Sequence, residues 1–189
     1  MKICGLDVAT TTGWAIAEGQ SYKTGKWNPG KTEREAQVFA RFREWLRTFL
    51  LVNEIEFVGI EAPLVSGLSR NEVDADAPIF GQKKRKVPVT SHKTLFRLYA
   101  LNAIAQEVCE GLSIRFEVIH QGTWRSTFVG RKPKGEDWKK ASRRVCDAMG
   151  IDAKSDDAAE AAGIAFHCQT KLKVERLQAG AGPLFAEAV

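Results

Sequence analysis

Three acid sites stand out because each carboxylate sits where its surroundings suit it poorly. Asp7 lies in Met1–Ala17, MKICGLDVATTTGWAIA, inside an apolar run that reads as strand. Aspartate is a poor strand residue, and burying its charge is costly unless it is paired or bound to a metal. Glu61 closes the short apolar run Glu56–Glu61, which Pro63 stops. The carboxyl end of a central strand is where open α/β sheets place site residues. The third site is Asp156-Asp157-Ala158-Ala159-Glu160. Asp157 and Glu160, three apart, share a helix face, and so do Asp156 and Glu160, four apart. Plainer alternatives exist for each. Asp7 could start a turn with Thr10–Thr12, Glu61 could be a solvent-facing strand end, and Asp156 and Asp157 could complement a helix dipole. Capping does not account for Glu160, which stands in an otherwise uncharged Ala/Gly helix.

Elements must bring these acids together. Met1–Ala17 reads as two strands joined by a threonine turn, and Ser21–Trp27 as a third, closed by Asn28-Pro29-Gly30. Thr32 is the expected N-cap of an amphipathic helix over 33–51, with Val38, Phe42, Trp45, Leu46 and Phe49 at helical spacing. After the Glu61 strand, residues 64–92 show no lasting periodicity. A structureless connection that long is usually functional or disordered. Helix is expected over 93–111, strand over Ser113–Ile119, and helix over Gln121–Phe128 and Glu136–Met149. Ser155 caps a last helix from Asp156 to about Thr170. Its alanines and glycine would let it lie close on a sheet and carry its acids to the strand ends. The order predicts a mixed five-stranded sheet, three antiparallel strands then parallel ones, with helices on both faces. One domain over 1–175 is expected, with a long basic loop at 62–92 and a frayed tail at 176–189.

The chain carries a net charge of +5. The excess is concentrated. Residues 81–97 hold six basic residues and no acid, among them Lys83, Lys84, Arg85 and Lys86. Residues 121–150 hold eight basic residues against three acids, among them Arg125, Arg131, Lys132, Lys139, Lys140 and Arg143. Such clusters suit a polyanion, although each alone also fits a solvated surface. No apolar stretch approaches the roughly 20 residues of a membrane span, and no secretion signal is expected. Cys4, Cys109, Cys146 and Cys168 are scattered without zinc spacing, which fits free thiols in a reducing cytoplasm.

With these residues in place, the sequence resembles the RuvC-type Holliday junction resolvases over about residues 2–170. GLDVATTTGWAIAE with Asp7 resembles the family's opening motif, VGIEAP with Glu61 its second acid, and DDAAEAAGIA its closing motif. TWRSTFVG and the helix of Trp138-Lys139-Lys140 sit where the family carries basic residues for DNA. The resemblance implies a ribonuclease H-like fold and a homodimer. It implies cleavage of phosphodiester bonds in four-way junctions and other branched DNA such as forks and flaps, during recombination or phage DNA processing. By motif position Asp7, Glu61, Asp157 and Glu160 would be catalytic and would hold two Mg²⁺ or Mn²⁺ ions. Crowded carboxylates take up protons unless a divalent cation compensates them, and oxygen donors select such ions over thiolate-loving metals.

The chain departs from the family in two places. Glu160 stands where cellular members usually carry Asp or His. Residues 62–92 exceed the usual connection, and Pro63-Leu64 replaces an aromatic wedge, with Phe80 a remote candidate. The longer form resembles phage-borne members. Two rival classes stay open: a branched-DNA binder without catalysis, and an actin-like nucleotide-binding protein, whose first phosphate hairpin GLDVATTTGWAI also resembles.

Overall fold

The computed structural model describes residues 1–30, 34–63, 69–73, 84–88 and 91–180. Five strands form the main sheet: β1 (Lys2–Asp7), β2 (Thr12–Glu18), β3 (Ser21–Trp27), β4 (Phe57–Glu61) and β7 (Arg115–Ile119). Between them lie α1 (Glu35–Val52), the short strands β5 (Ser69–Val73) and β6 (Lys84–Pro88), and α2 (His92–Gly111). After β7 come α3 (Gln121–Phe128), α4 (Trp138–Ala148) and α5 (Asp156–Gly180). The sheet order is β3-β2-β1-β4-β7. β2 runs antiparallel to both β1 and β3, whereas β4 runs parallel to β1 and β7 parallel to β4. This is the mixed sheet expected from the order of elements.

The pleat decides which face each acid takes. Ile3 and Phe57 join the core under α5, and Cys4, Leu6, Val58 and Ile60 join the core under α1 and α2. Side chains alternate along a strand, so Asp7 and Glu61 follow Ile3–Gly5 and Phe57–Gly59 onto the α5 face. Because β1 and β4 are parallel neighbours with Leu6 opposite Ile60, both acids emerge at the same edge.

Glycine then lets α5 close on that face. A Cβ on Gly5 would lie 2.2 Å from the Ala161 carbonyl oxygen, and one on Gly13 would lie 2.0 Å from that of Asp157. The helix backbone itself therefore rests on β1 and β2, and Ala158, Ala159, Ala161, Ala162 and Ala165 fill the seam. Ser155 Oγ accepts from the Ala158 N–H at 3.2 Å, the expected cap.

Two expectations change. The connection read as structureless holds an antiparallel hairpin in which β5 pairs with β6, Glu72 in register opposite Arg85. Two five-residue polar strands that pair only with each other carry no apolar period to reveal them. And α5 runs to Gly180, ten residues beyond the expected end and into the stretch expected to fray. Thr32, Leu64, Phe80, Lys83 and 181–189 lie outside the described residues.

Candidate active site

Asp7, Glu61 and Glu160 are all buried, at 8%, 7% and 4% exposed. The Asp7 and Glu61 carboxyls are close enough for each charge to bear on the other. Burial pushes the Asp7 carboxyl well above the usual carboxylate range; the charges of Glu61, Glu160 and Asp157 push it further. Crowding of negative charge in a buried place favours the protonated form of Asp7.

Glu61 is fixed from two sides that sequence reading did not single out. Trp124 Nε1 donates to Glu61 Oε1 at 3.4 Å from α3. Asn102 of α2, itself buried, donates from Nδ2 to the Glu61 carbonyl at 2.7 Å, and its Oδ1 accepts from Gln106. The signal was present: Asn102 is a polar residue on the inward stripe of an apolar helix, and a buried amide needs partners.

Glu160 meets a different neighbour. Arg125 Nη2 donates to Glu160 Oε1 at 2.5 Å. Burial raises the Glu160 carboxyl above its usual range, and the Arg125 bond and charge pull against that shift. At the first turn of α5, Lys139 Nζ lies 3.6 Å from Asp157 Oδ1, and Arg143 Nη1 lies 4.0 Å from Asp156 Oδ1. The Asp157 side chain is 28% exposed and the Asp156 side chain 47%. Burial works to lower the Lys139 pKa, but Glu160, Asp157, Asp7 and Asp156 together outweigh it and hold the ammonium charged.

No family model matches the sequence, and no curated protein matches it. Solved structures do. The RuvC of Thermus thermophilus, in complex with Holliday junction substrate, superposes with a TM-score of 0.65 at 9% identity. The match covers 92% of this chain and 96% of that one. A second T. thermophilus RuvC structure gives 0.65 at 11% identity, over 93% and 97% of the two chains. The yeast mitochondrial Holliday junction resolvase Ydc2 gives 0.55 at 13% identity, over 94% and 82%. This chain has the RuvC fold, a ribonuclease H-like architecture.

Within this RuvC fold the four expected acids gather at one sheet edge, Asp7 and Glu61 from parallel strand ends and Asp157 and Glu160 from the helix above. Their donor chemistry fits a hard divalent cation: all oxygen, no thiol or imidazole, with the Asp7 carboxyl raised where negative charge is crowded. The arrangement is not ready-made. Among the described residues no three His, Cys, Asp or Glu side chains converge as a cation site, and Glu160 is engaged by Arg125.

The basic residues divide. Lys84, Arg85 and Lys86 lie along β6, in a sheet separate from the five-stranded one. Arg131 and Lys140 are exposed. Lys132 donates to the Glu136 carbonyl and sits 5.0 Å over the Trp138 ring. Arg125, expected on a DNA-facing surface, instead points into the acid cluster with its side chain 13% exposed. The reason is local. Trp124 and Phe128 turn α3 onto the α5 seam, and Arg125, next to Trp124, is carried to the edge of that seam.

Proposed function

We propose that this chain is a divalent-cation-dependent endonuclease that cleaves phosphodiester bonds in branched DNA, four-way junctions foremost. The observation that carries this reading is that Asp7, Glu61 and Glu160, all buried, and the partly exposed Asp157 lie near enough on a RuvC-fold sheet for the other three to act on Asp7 through their charge, with Lys139 beside Asp157. Asp7, Glu61, Asp157 and Glu160 would hold Mg²⁺ or Mn²⁺, two ions per site. Bound there, such ions would supply an activated water and charge stabilisation at the leaving 3′ oxygen. The chain's own groups prepare the site. Trp124 and Asn102 hold Glu61 in place, Asp7 yields its proton when positive charge arrives, and Lys139 offers a fixed cation to a backbone phosphate. Lys83–Lys86, Arg131, Lys132, Lys140 and Arg143 extend that positive surface for phosphate contacts.

A homodimer suits two symmetric cuts, and α2 is the proposed interface. Phe96 on its outer face is 60% exposed and is met by Phe39 of α1 at 6.0 Å. No described helix is long and apolar enough to cross a membrane. The four cysteines are buried free thiols, which suits the cytoplasm.

The test is cleavage of a four-way junction, fork, flap and linear duplex side by side in Mg²⁺, Mn²⁺ and EDTA. Cation-dependent nicking of branched over linear DNA is the expected result. Junction binding without nicking would favour the non-catalytic binder, and nucleotide hydrolysis the actin-like class.

A further inference from the structure

Arg125 is not placed as an ordinary surface cation or as an ordinary core ion pair. Its guanidinium lies 5.2 Å from the Trp124 ring and 5.4 Å from the Trp138 ring, a slot between two indoles. One end reaches Glu160 at 2.5 Å, with the two side chains 13% and 5% exposed. Its Nε–H, by contrast, is buried with no hydrogen-bond partner among the described residues. A guanidinium offers five donors in a fixed fork, and leaving a buried donor unmade is costly. The Glu160 carboxylate therefore satisfies Arg125 only in part. An anion with more oxygens at the same place would satisfy it better, and phosphate suits the fork. The outer wall of the slot, Trp138, is half-buried, carries Lys132 over its ring, and precedes Lys139 in the chain.

We propose that Arg125 is a positioning residue that exchanges anions: it holds Glu160 while the site is free of DNA and passes to a DNA backbone phosphate on binding, releasing Glu160 to a divalent cation. The two indole faces fix the plane of the guanidinium while leaving it free to slide along them, so the exchange needs no refolding of α3. The consequence is a positive coupling between cation and DNA. Each should bind more tightly when the other is present, by the same factor, because the coupling is reciprocal. The protein would then hold its second cation position closed until a phosphate arrives. This rests on the nuclease reading above, and deepens it by assigning the order in which the site fills.

The test uses the full chain, with Ca²⁺ as an oxygen-seeking probe ion. Ca²⁺ is titrated by calorimetry with and without saturating four-way junction, and junction affinity is measured by anisotropy in EDTA and in Ca²⁺. In the wild type, junction should raise Ca²⁺ affinity about tenfold or more. Arg125→Met keeps the bulk between the indoles; it should bind Ca²⁺ several-fold more tightly without DNA and lose the coupling. Arg125→Lys should restore part of it. Glu160→Gln removes the competing anion while leaving Arg125 in place, so it should bind junction several-fold more tightly in EDTA. That variant carries the test if Arg125→Met is poorly folded. Unchanged DNA-free Ca²⁺ affinity and intact coupling in Arg125→Met would overturn the exchange, as would unchanged junction affinity in Glu160→Gln. A wild type that binds neither Ca²⁺ nor junction would instead overturn the nuclease reading itself.

Discussion

The two halves of the acid cluster meet the same problem, negative charge out of water, in opposite ways. In the strand half, burial and the neighbouring acids push the Asp7 carboxyl toward its protonated form. The helix half is neutralised by fixed cations, Arg125 on Glu160 and Lys139 on Asp157. The difference follows from the elements. The first turns of α5 face α3 and α4, which carry the largely buried Arg125 and the half-exposed Lys139. A proton leaves with pH, whereas an arginine leaves only for another anion. One half should therefore respond to acidity and the other to ligands.

The sharpest way to break the comparison is to remove the acids singly. Asp7→Asn, Glu61→Gln and Asp157→Asn should each lower junction cleavage by about a thousandfold, the several kcal/mol a bound metal gives a transition state. Junction binding in EDTA should survive. Glu160→Asp should be milder. The shorter arm weakens contact with Arg125 and displaces the ligand, so residual cleavage should be better in Mn²⁺ than in Mg²⁺, which tolerates distorted geometry poorly. Cleavage assays in both ions rank the four. If the strand and helix variants behave alike in every respect, binding included, the two halves are not distinct.

Acidity tests the strand half alone. Asp7 in the folded chain holds its proton well above its ordinary value of 3.8. Its contribution to the stability of the cation-free protein is complete below about pH 4 and is lost as pH rises through the raised folded value. Other carboxylates run the opposite way: Arg97, Lys2 and Arg144 hold Glu35, Glu54 and Glu136 below their usual range. The difference between wild type and Asp7→Asn isolates the effect. Asn is uncharged at every pH, so the variant should gain in melting temperature over wild type as pH rises from 4 to 8. Divalent-ion affinity of the wild type should rise over the same window, with proton release visible by calorimetry in buffers of different ionisation heat. A flat difference curve would show that Asp7 does not hold its proton there.

Part of this was legible in the sequence, and the part that was not has a common cause. An acid inside an apolar strand, an acid before Pro63 and an acid in an alanine helix are each costly locally, so their positions carry information. The mixed sheet, antiparallel strands then parallel ones, followed from the order of strand and helix periods along the chain. The inward turn of Arg125 did not, because a count of positive charge says nothing about direction; only the packing of Trp124 and Phe128 on α5 sets it. The β5–β6 hairpin left no period to read. Asn102 was visible as an oddity on a helical stripe, but its partner, a backbone carbonyl 41 residues away in the chain, was not.

The smallest expected effect is the most discriminating for the helix half. Asp156 and Asp157 are adjacent first-turn acids, and as helix caps they would be equivalent, each contributing about 0.3–1 kcal/mol through the dipole. The structure separates them. Asp157 acts on Asp7 through its charge and lies 3.6 Å from Lys139. Asp156 is rotated by about 100° around the helix and is met 4.0 Å away by Arg143, with both side chains close to half exposed. An exposed pair at that distance is worth little. Asp156→Asn should therefore lose only the dipole contribution in thermal or urea unfolding and cleave junction at close to the wild-type rate. Should Asp156→Asn abolish cleavage while Asp157→Asn cuts normally, the helix contributes its acids through the Asp156–Glu160 spacing of four, and the site is built one residue earlier than proposed here.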